Sequence, residues 1–170
     1  RPTAALLKRR LFDAHQNWHG EVFIDLCAGT GSMGLEALSR GAEKVLFVEK
    51  NPKVFQILKQ NIEAAMARQP ELKDRIELIQ KDAQVFLQSF ETFHGQIHQF
   101  GPVTLFFDPP YEQHQLYQTL VATSMDGISR LIIESDTDKG PDKALFAPFS
   151  VHLSKEYCQG ASYLFIYNFK

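Results

Sequence analysis

The 170 residues carry a net charge of -2, with 44% apolar and 12% aromatic residues. That is enough to bury the core of one α/β domain, and too near neutrality for a surface that coats nucleic acid broadly. No apolar run approaches the ~18 residues of a membrane span, no signal peptide is visible, and Cys27 and Cys158 lack metal-type spacing, which excludes membrane and disulfide-framework classes and fits free thiols in a reducing cytoplasm.

The first residue is Arg1, so a preceding segment is expected. Ala4 to Asp13 reads as a short helix with Leu6, Leu7, Arg10 and Leu11 at helical spacing. Within it Lys8-Arg9-Arg10 is the strongest basic cluster, read as a solvated face or a contact to a phosphate backbone. A polar connection, Asn17 to Gly20, leads to Val22-Phe-Ile-Asp25, an apolar strand ending in an acid. Three glycines, Gly29, Gly31 and Gly34, then open the helix Leu35-Glu36-Ala37-Leu38, which ends near Arg40-Gly41. A strand turning through glycines into a helix is a ligand-binding turn. The missing β-carbons let the backbone approach a bound molecule, and the helix start aims N–H groups at it.

Strand and helix alternate from there. Lys44 to Glu49 is a second strand. Pro52 opens a helix to about Arg68, with Val54, Phe55, Ile57, Leu58 and Ile62 as its apolar face. Arg75 to Gln80 is a third strand, and Lys81-Asp82-Ala83 leads to a helix through Phe86, Leu87 and Phe90. Asp82 fits a helix N-cap and equally an acceptor for an exocyclic amine. His94 and His98 have an i, i+4 spacing, but Gly95, Gly101 and Pro102 make the stretch a surface loop, and no metal site is expected. Val103 to Phe107 is a fourth strand, Ser129 to Glu134 a fifth, and Asp136 to Pro148 a turn-rich loop. Phe149 to Tyr157 and Ala161 to Phe169 form a closing hairpin whose Tyr163, Phe165, Tyr167 and Phe169 read as core. This order predicts an α/β fold with a three-layer, doubly wound, mostly parallel seven-stranded sheet, a C-terminal antiparallel hairpin, and its ligand at the carboxyl ends of the strands.

The ligand is read from two places. Gly29-Thr-Gly31-Ser-Met-Gly34 is a literal G-x-G-x-x-G with Glu49 about 20 residues after it, so a nicotinamide dehydrogenase is allowed. Asp25 opposes that reading, since an acid there would repel a pyrophosphate yet suits the cationic amino group of S-adenosylmethionine. Asp108-Pro109-Pro110-Tyr111 follows the fourth strand as a rigid lip. Its carboxylate and a prolyl carbonyl are fixed acceptors beside an aromatic platform, which suits a planar base bearing an exocyclic amine.

These two stretches, with Arg1-Pro2-Thr3, Leu11-Phe12, Gly34 to Arg40 and Ile133-Glu134-Ser135, resemble the class I S-adenosylmethionine-dependent amino methyltransferases. Among them the chain is most similar to the bacterial 16S rRNA guanine-N2 methyltransferase family often called RsmD. It departs from that family at Arg9, where an acid is usual, in lacking a basic segment before Arg1, and in a longer stretch from His94 to Gly101. The resemblance implies a Rossmann-like catalytic core over residues 21–170 of a single 1–170 domain, with residues 1–20 as a helical lid. S-adenosyl-L-methionine is the implied cofactor: Asp25, Gly29 and Gly31 hold its methionine part, Glu49 its ribose and Asp82 with Ala83 its adenine. Ala28, Lys50 and Asp108 lie beside it and Thr3 closes over it. Asp108, Pro109, Pro110 and Tyr111 are the implied catalytic residues. The implied partner is rRNA in the small ribosomal subunit or its assembly intermediate, with no membrane and no metal, for a cytoplasmic monomer. An adenine or cytosine amino methyltransferase, a non-catalytic cofactor-binding assembly protein and the nicotinamide enzyme stand as alternatives.

Overall fold

A computed structural model of the chain describes residues 2–90, 95 and 97–169, with side chains from residue 6 onward. Seven strands form one sheet: β1 Val22–Asp25, β2 Lys44–Val48, β3 Ile76–Ile79, β4 Val103–Phe107, β5 Arg130–Asp136, β6 Leu153–Gln159 and β7 Ser162–Asn168. Their order is β3-β2-β1-β4-β5-β7-β6, parallel from β3 to β5 and antiparallel for the last two. The order reverses between β1 and β4, the place where a doubly wound sheet opens a crevice at its carboxyl edge.

β1, β2 and β4 are short runs buried on both faces, as expected for strands covered by helices front and back. Alternate residues serve opposite faces. Phe23, Phe47 and Phe106 meet α1 (Pro2–Ala14), α2 (Ser32–Ser39) and α3 (Pro52–Arg68), with Phe23 and Phe106 stacked at 5.9 Å between centroids. Ile24, Val48 and Phe107 meet α4 (Ala83–Gln88), α5 (His114–Ala122) and a 3-10 segment, Lys143–His152.

α1 is pinned at one end. His15 lies 2.8 Å from Glu21, Arg130 donates to the same carboxylate at 2.8 Å, and Trp18 is fully buried against Phe12 and Phe23. Lys8 stands seven residues before His15, so the helix carries it ~10 Å along the sheet, from the amino ends of the strands towards their carboxyl ends. It therefore reaches the crevice.

Several expectations are corrected. α3 buries Leu58 and Ile62 while Ile57 is 47% exposed, because a narrow stripe of period 3.6 faces the sheet. Leu6, counted on the apolar face of α1, is also exposed. Phe149 to His152 is not strand. Pro148 lacks an N–H for a ladder, the chain turns as a 3-10 segment that buries Phe149, and β6 starts at Leu153. The stretch after Gly95 is more than a surface loop, for Ile97 is buried and His98–Phe100 is a 3-10 turn, whereas His94 lies outside the described residues. α5 had no counterpart in the sequence reading. The hairpin aromatics Tyr163, Phe165 and Tyr167 are core, as expected.

Candidate active site

The carboxyl edge gathers one acid from each of four strand ends. Asp25 is the last residue of β1, Glu49 follows β2, Asp82 lies beyond β3 and Asp108 follows β4. They line one cavity of about 690 Å³ together with the loop after β1 and the segment Asp108 to Tyr111. A volume of that order is typical of a small-molecule site.

The loop after β1 is held from both sides. Leu26 N–H donates to Phe106 and Ala28 N–H to Val48, at 3.0 and 2.9 Å, so the chain stays in the sheet's hydrogen bonding after the strand has ended. It then turns through Gly29 and Gly31, at φ 56° and 88°, where any other residue is strained. A side chain at Gly34 would run into the Phe47 ring and Val45 Cγ1, so glycine there lets α2 lie close on β2. This explains two of the three glycines by conformation and the third by helix–sheet contact.

The N–H groups of the three glycines are already engaged, that of Gly31 on the Ala28 carbonyl. Asp25, 2% exposed, accepts from Gly34 at 3.1 Å, and Glu49 accepts from Gly29 at 3.0 Å and from Asn51 at 2.8 Å. A pyrophosphate would need those donors and would meet two carboxylates in their place. The geometry thus disfavours a dinucleotide. It favours a ligand that brings a positive charge and hydroxyl or amine donors, since a carboxylate oxygen can accept a second hydrogen bond. S-adenosylmethionine, with an ammonium, a sulfonium, ribose hydroxyls and an adenine amine, fits that donor demand. Burial pushes the Asp25 carboxyl up to about 7, against the pull of the Gly34 N–H and Lys8.

Asp82 is the N-cap of α4, its Oδ1 accepting from Gln84 at 2.8 Å, while Oδ2 faces Lys50 at 3.2 Å. Burial raises its pKa, but the Gln84 N–H and Lys50 outweigh that and hold it below the usual carboxylate range. Ala83 and Ala28 line the cavity beside it. Cys27 lines the same wall and packs against the core, its thiol pushed up by burial and by Asp25.

Across the cavity, Asp108 leaves β4 in a segment whose Pro110 carbonyl accepts from Gln113 N–H at 2.9 Å, fixing the turn into α5. Tyr111 is only 9% exposed and donates its hydroxyl to Glu134 Oε1 at 3.3 Å, so the aromatic platform is locked from behind. The two clusters, around Asp25 and around Asp108, line the same crevice. Such a site can hold a cationic cofactor on one side and a base amine on the other.

Two residues enter that the sequence did not single out for the site. Lys8 is not on a solvated face: its Nζ donates to Asp108 Oδ2 at 2.7 Å and lies 3.8 Å from Glu134 Oε2. Arg9 and Arg10 remain exposed. The signal was available in the spacing, for Lys8 precedes Leu11 and Phe12 by three and four residues and shares their buried face. Glu134, fully buried in β5, enters the sequence reading only within Ile133-Glu134-Ser135, one of the stretches that carry the family resemblance, and not as a site residue. Thr3 belongs to α1, but its side chain lies outside the described residues. Among the described residues no group of three or more metal-ligating side chains occurs, and no helix is long and apolar enough to cross a membrane.

The model of the family described as Conserved hypothetical protein 95 matches residues 1–166. Ribosomal RNA small subunit methyltransferase D of Haemophilus influenzae is 32% identical over 167 residues, covering 94% of this chain and 78% of that protein. The Bacillus subtilis protein YlbH is 32% identical over 121 residues, 68% of this chain, and the match spans only 58% of YlbH. Among solved structures, a candidate methylase of Haemophilus influenzae has a TM-score of 0.69 at 24% identity over 98% of both chains. An RNA methyltransferase of Salinibacter ruber, solved with S-adenosyl-L-homocysteine, has a TM-score of 0.59 at 16% identity over 96% of this chain and 90% of that one. The sheet and its crevice are thus those of the class I methyltransferase fold, and the chain belongs to the Conserved hypothetical protein 95 family, which includes the small-subunit ribosomal RNA methyltransferase D proteins.

Proposed function

We propose that the protein transfers a methyl group from S-adenosyl-L-methionine to the exocyclic N2 amine of a guanine in 16S rRNA, acting on the small ribosomal subunit or an assembly intermediate. The observation that carries this reading is the single crevice that Asp25, Glu49 and Asp82 line together with Asp108-Pro109-Pro110-Tyr111. The family relationship supports the RNA substrate.

In this reading Asp25, Ala28, Gly29 and Gly31 hold the methionine end of the cofactor, Glu49 and Lys50 flank the ribose, and Asp82 with Ala83 meet the adenine. Thr3 and the first turn of α1 close over the site on the core of residues 21–170, while Leu7, Leu11, Phe12 and Trp18 hold the rest of residues 1–20 against the sheet. When bound, the cofactor supplies an electrophilic methyl group on a sulfonium. A guanine amine is a weak nucleophile because its lone pair is delocalised into the ring. Asp108 and the Pro109 carbonyl accept its two hydrogens, which favours a pyramidal nitrogen and stabilises the charge that develops on it. Pro110 fixes the loop and the Tyr111 ring, held through its hydroxyl, orients the base. Asp108 then takes the proton that the methylated amine releases. Positioning supplies most of the rate.

Calorimetry and single-turnover kinetics test this assignment. Asp108→Ala is expected to keep S-adenosylmethionine binding within a few-fold and to lower transfer by about a hundredfold or more. A variant that transfers at the native rate would remove Asp108 from the reaction.

A further inference from the structure

Asp108 does not face the crevice with both oxygens free. Lys8 donates to its Oδ2 at 2.7 Å, the two side chains being 26% and 21% exposed. The same ammonium lies 3.8 Å from Glu134 Oε2. Glu134 is fully buried, its Oε1 takes the Tyr111 hydroxyl, and its Oε2 accepts no hydrogen bond among the described residues. Two carboxylates therefore share one lysine, and the more deeply buried of them has an acceptor left unfilled.

A buried carboxylate oxygen without a hydrogen bond bears its desolvation cost with nothing to offset it. If Lys8 served only to tie α1 to the sheet, the closer pairing would be expected on the more buried acid, where an ammonium offsets the greater desolvation. Instead it sits on Asp108, the group which, on the function proposed above, must give hydrogen-bonding capacity to an incoming amine. The lysine stem has four rotatable carbons, and a displacement of about 1 Å carries Nζ into bonding range of Glu134.

We propose that Lys8 is a positioning residue with two seats: it holds Asp108 in the empty site, and passes to Glu134 when the target amine takes its place on Asp108. The handover leaves the charge of the site unchanged. It fills the empty acceptor of Glu134 at the moment the base arrives, and through Glu134 it braces the Tyr111 hydroxyl from behind. No bond is made or broken. Burial, with Asp108 adding to it, pushes the Glu134 carboxyl up to about 8 against the pull of Lys8, so a closer approach of the lysine shifts that acid towards its ionised form. Burial pulls the Lys8 ammonium down while Asp108 and Glu134 push it up by more.

The test measures the acylation rate of Lys8 at one fixed pH, by trace labelling of the full chain with acetic anhydride and mass spectrometry. Lys8 is expected to be protected in the native protein, and still protected in Asp108→Ala and in Glu134→Gln, because either seat suffices. In the double variant its reactivity rises by about tenfold or more, the effect of at least one unit in the amine's pKa. Full reactivity in Asp108→Ala alone would mean that Lys8 has no second seat, and the handover would be wrong. Transfer kinetics give an independent arm should the double variant not fold. Glu134→Gln and Lys8→Met should lower kcat by roughly tenfold, one pKa unit's worth of lost positioning, with KM for S-adenosylmethionine within about twofold, and Lys8→Arg should restore most of it. Equal loss in Lys8→Met and Lys8→Arg, or a loss confined to KM, contradicts the role. The labelling pattern needs no substrate. Its absence overturns the handover whatever the kinetics show, whereas its presence in a protein that methylates no nucleic acid overturns the reading of the site.

Discussion

Replacing Asp25 with Asn should make the empty protein more stable at neutral pH. Asp25 is buried at the centre of the sheet, and its one described hydrogen bond comes from the Gly34 N–H at 3.1 Å. Burial, with Asp108 and Glu49 adding to it, pushes its carboxyl from 3.8 up to about 7. The folded pKa lies above the unfolded one, so across that window the folded chain keeps a proton that the unfolded chain has released. Stability therefore falls as pH rises from about 4 to about 7, by up to ~1.4 kcal/mol per unit. The full span is worth at most ~4 kcal/mol, and local relaxation makes ~2 kcal/mol the realistic size. Asn keeps the shape and an acceptor for the Gly34 N–H but never ionises. Urea unfolding of both proteins at several pH values between 4 and 8 isolates this group, because all other titrations cancel in the difference. The curves should meet near pH 4 and separate in favour of Asn by pH 8. Curves that run parallel, or an Asn protein less stable at pH 8, would refute the claim that a desolvated charge at position 25 opposes folding.

The same acid ties stability to binding. Affinity for S-adenosylmethionine should fall below pH 7, approaching tenfold per unit, as protonated Asp25 stops answering the ligand's positive charge. Calorimetry in buffers of different ionisation enthalpy should register up to one proton released at pH 6, and proton-neutral binding would contradict it. Gly34→Ala places a methyl group 2.6 Å from Phe47 Cζ and 2.8 Å from Val45 Cγ1. It should cost about 1–3 kcal/mol in denaturant unfolding and weaken cofactor binding by lifting α2. Trp18→Ala removes a fully buried ring that α1 rests on and should cost about 3–5 kcal/mol, read in the same unfolding experiment.

Much of this architecture was legible because its signals are local. Doubly buried strands read as continuous apolar runs, Pro52 marked the start of α3, and the glycines after β1 announced a turn that side chains would block. What was missed lies in relations between distant residues. Lys8 looked like part of a charge run, and only the fold brings it within 2.7 Å of a residue 100 positions away. Glu134 is one more acid in sequence, and its meaning comes from lying behind Tyr111. α5 is hard to read although Leu116, Tyr117 and Leu120 have helical spacing, because Gln113 offers no side-chain cap and no acid marks its first turn. Pro148 reads as the end of a loop, but the 3-10 segment runs through it to His152 and β6 begins at Leu153. Asp82 caps α4 with one oxygen, one of the two roles its position allowed, and it also lines the cavity.

The central claim is that this crevice methylates a guanine amine in ribosomal RNA. The most direct test offers the protein labelled S-adenosylmethionine with unmodified small subunits, naked rRNA and DNA in separate reactions, then digests each product to nucleosides. The account predicts label in N2-methylguanosine from RNA. Label in an adenine or cytosine amine, or no label in any nucleic acid despite tight cofactor binding, would contradict it.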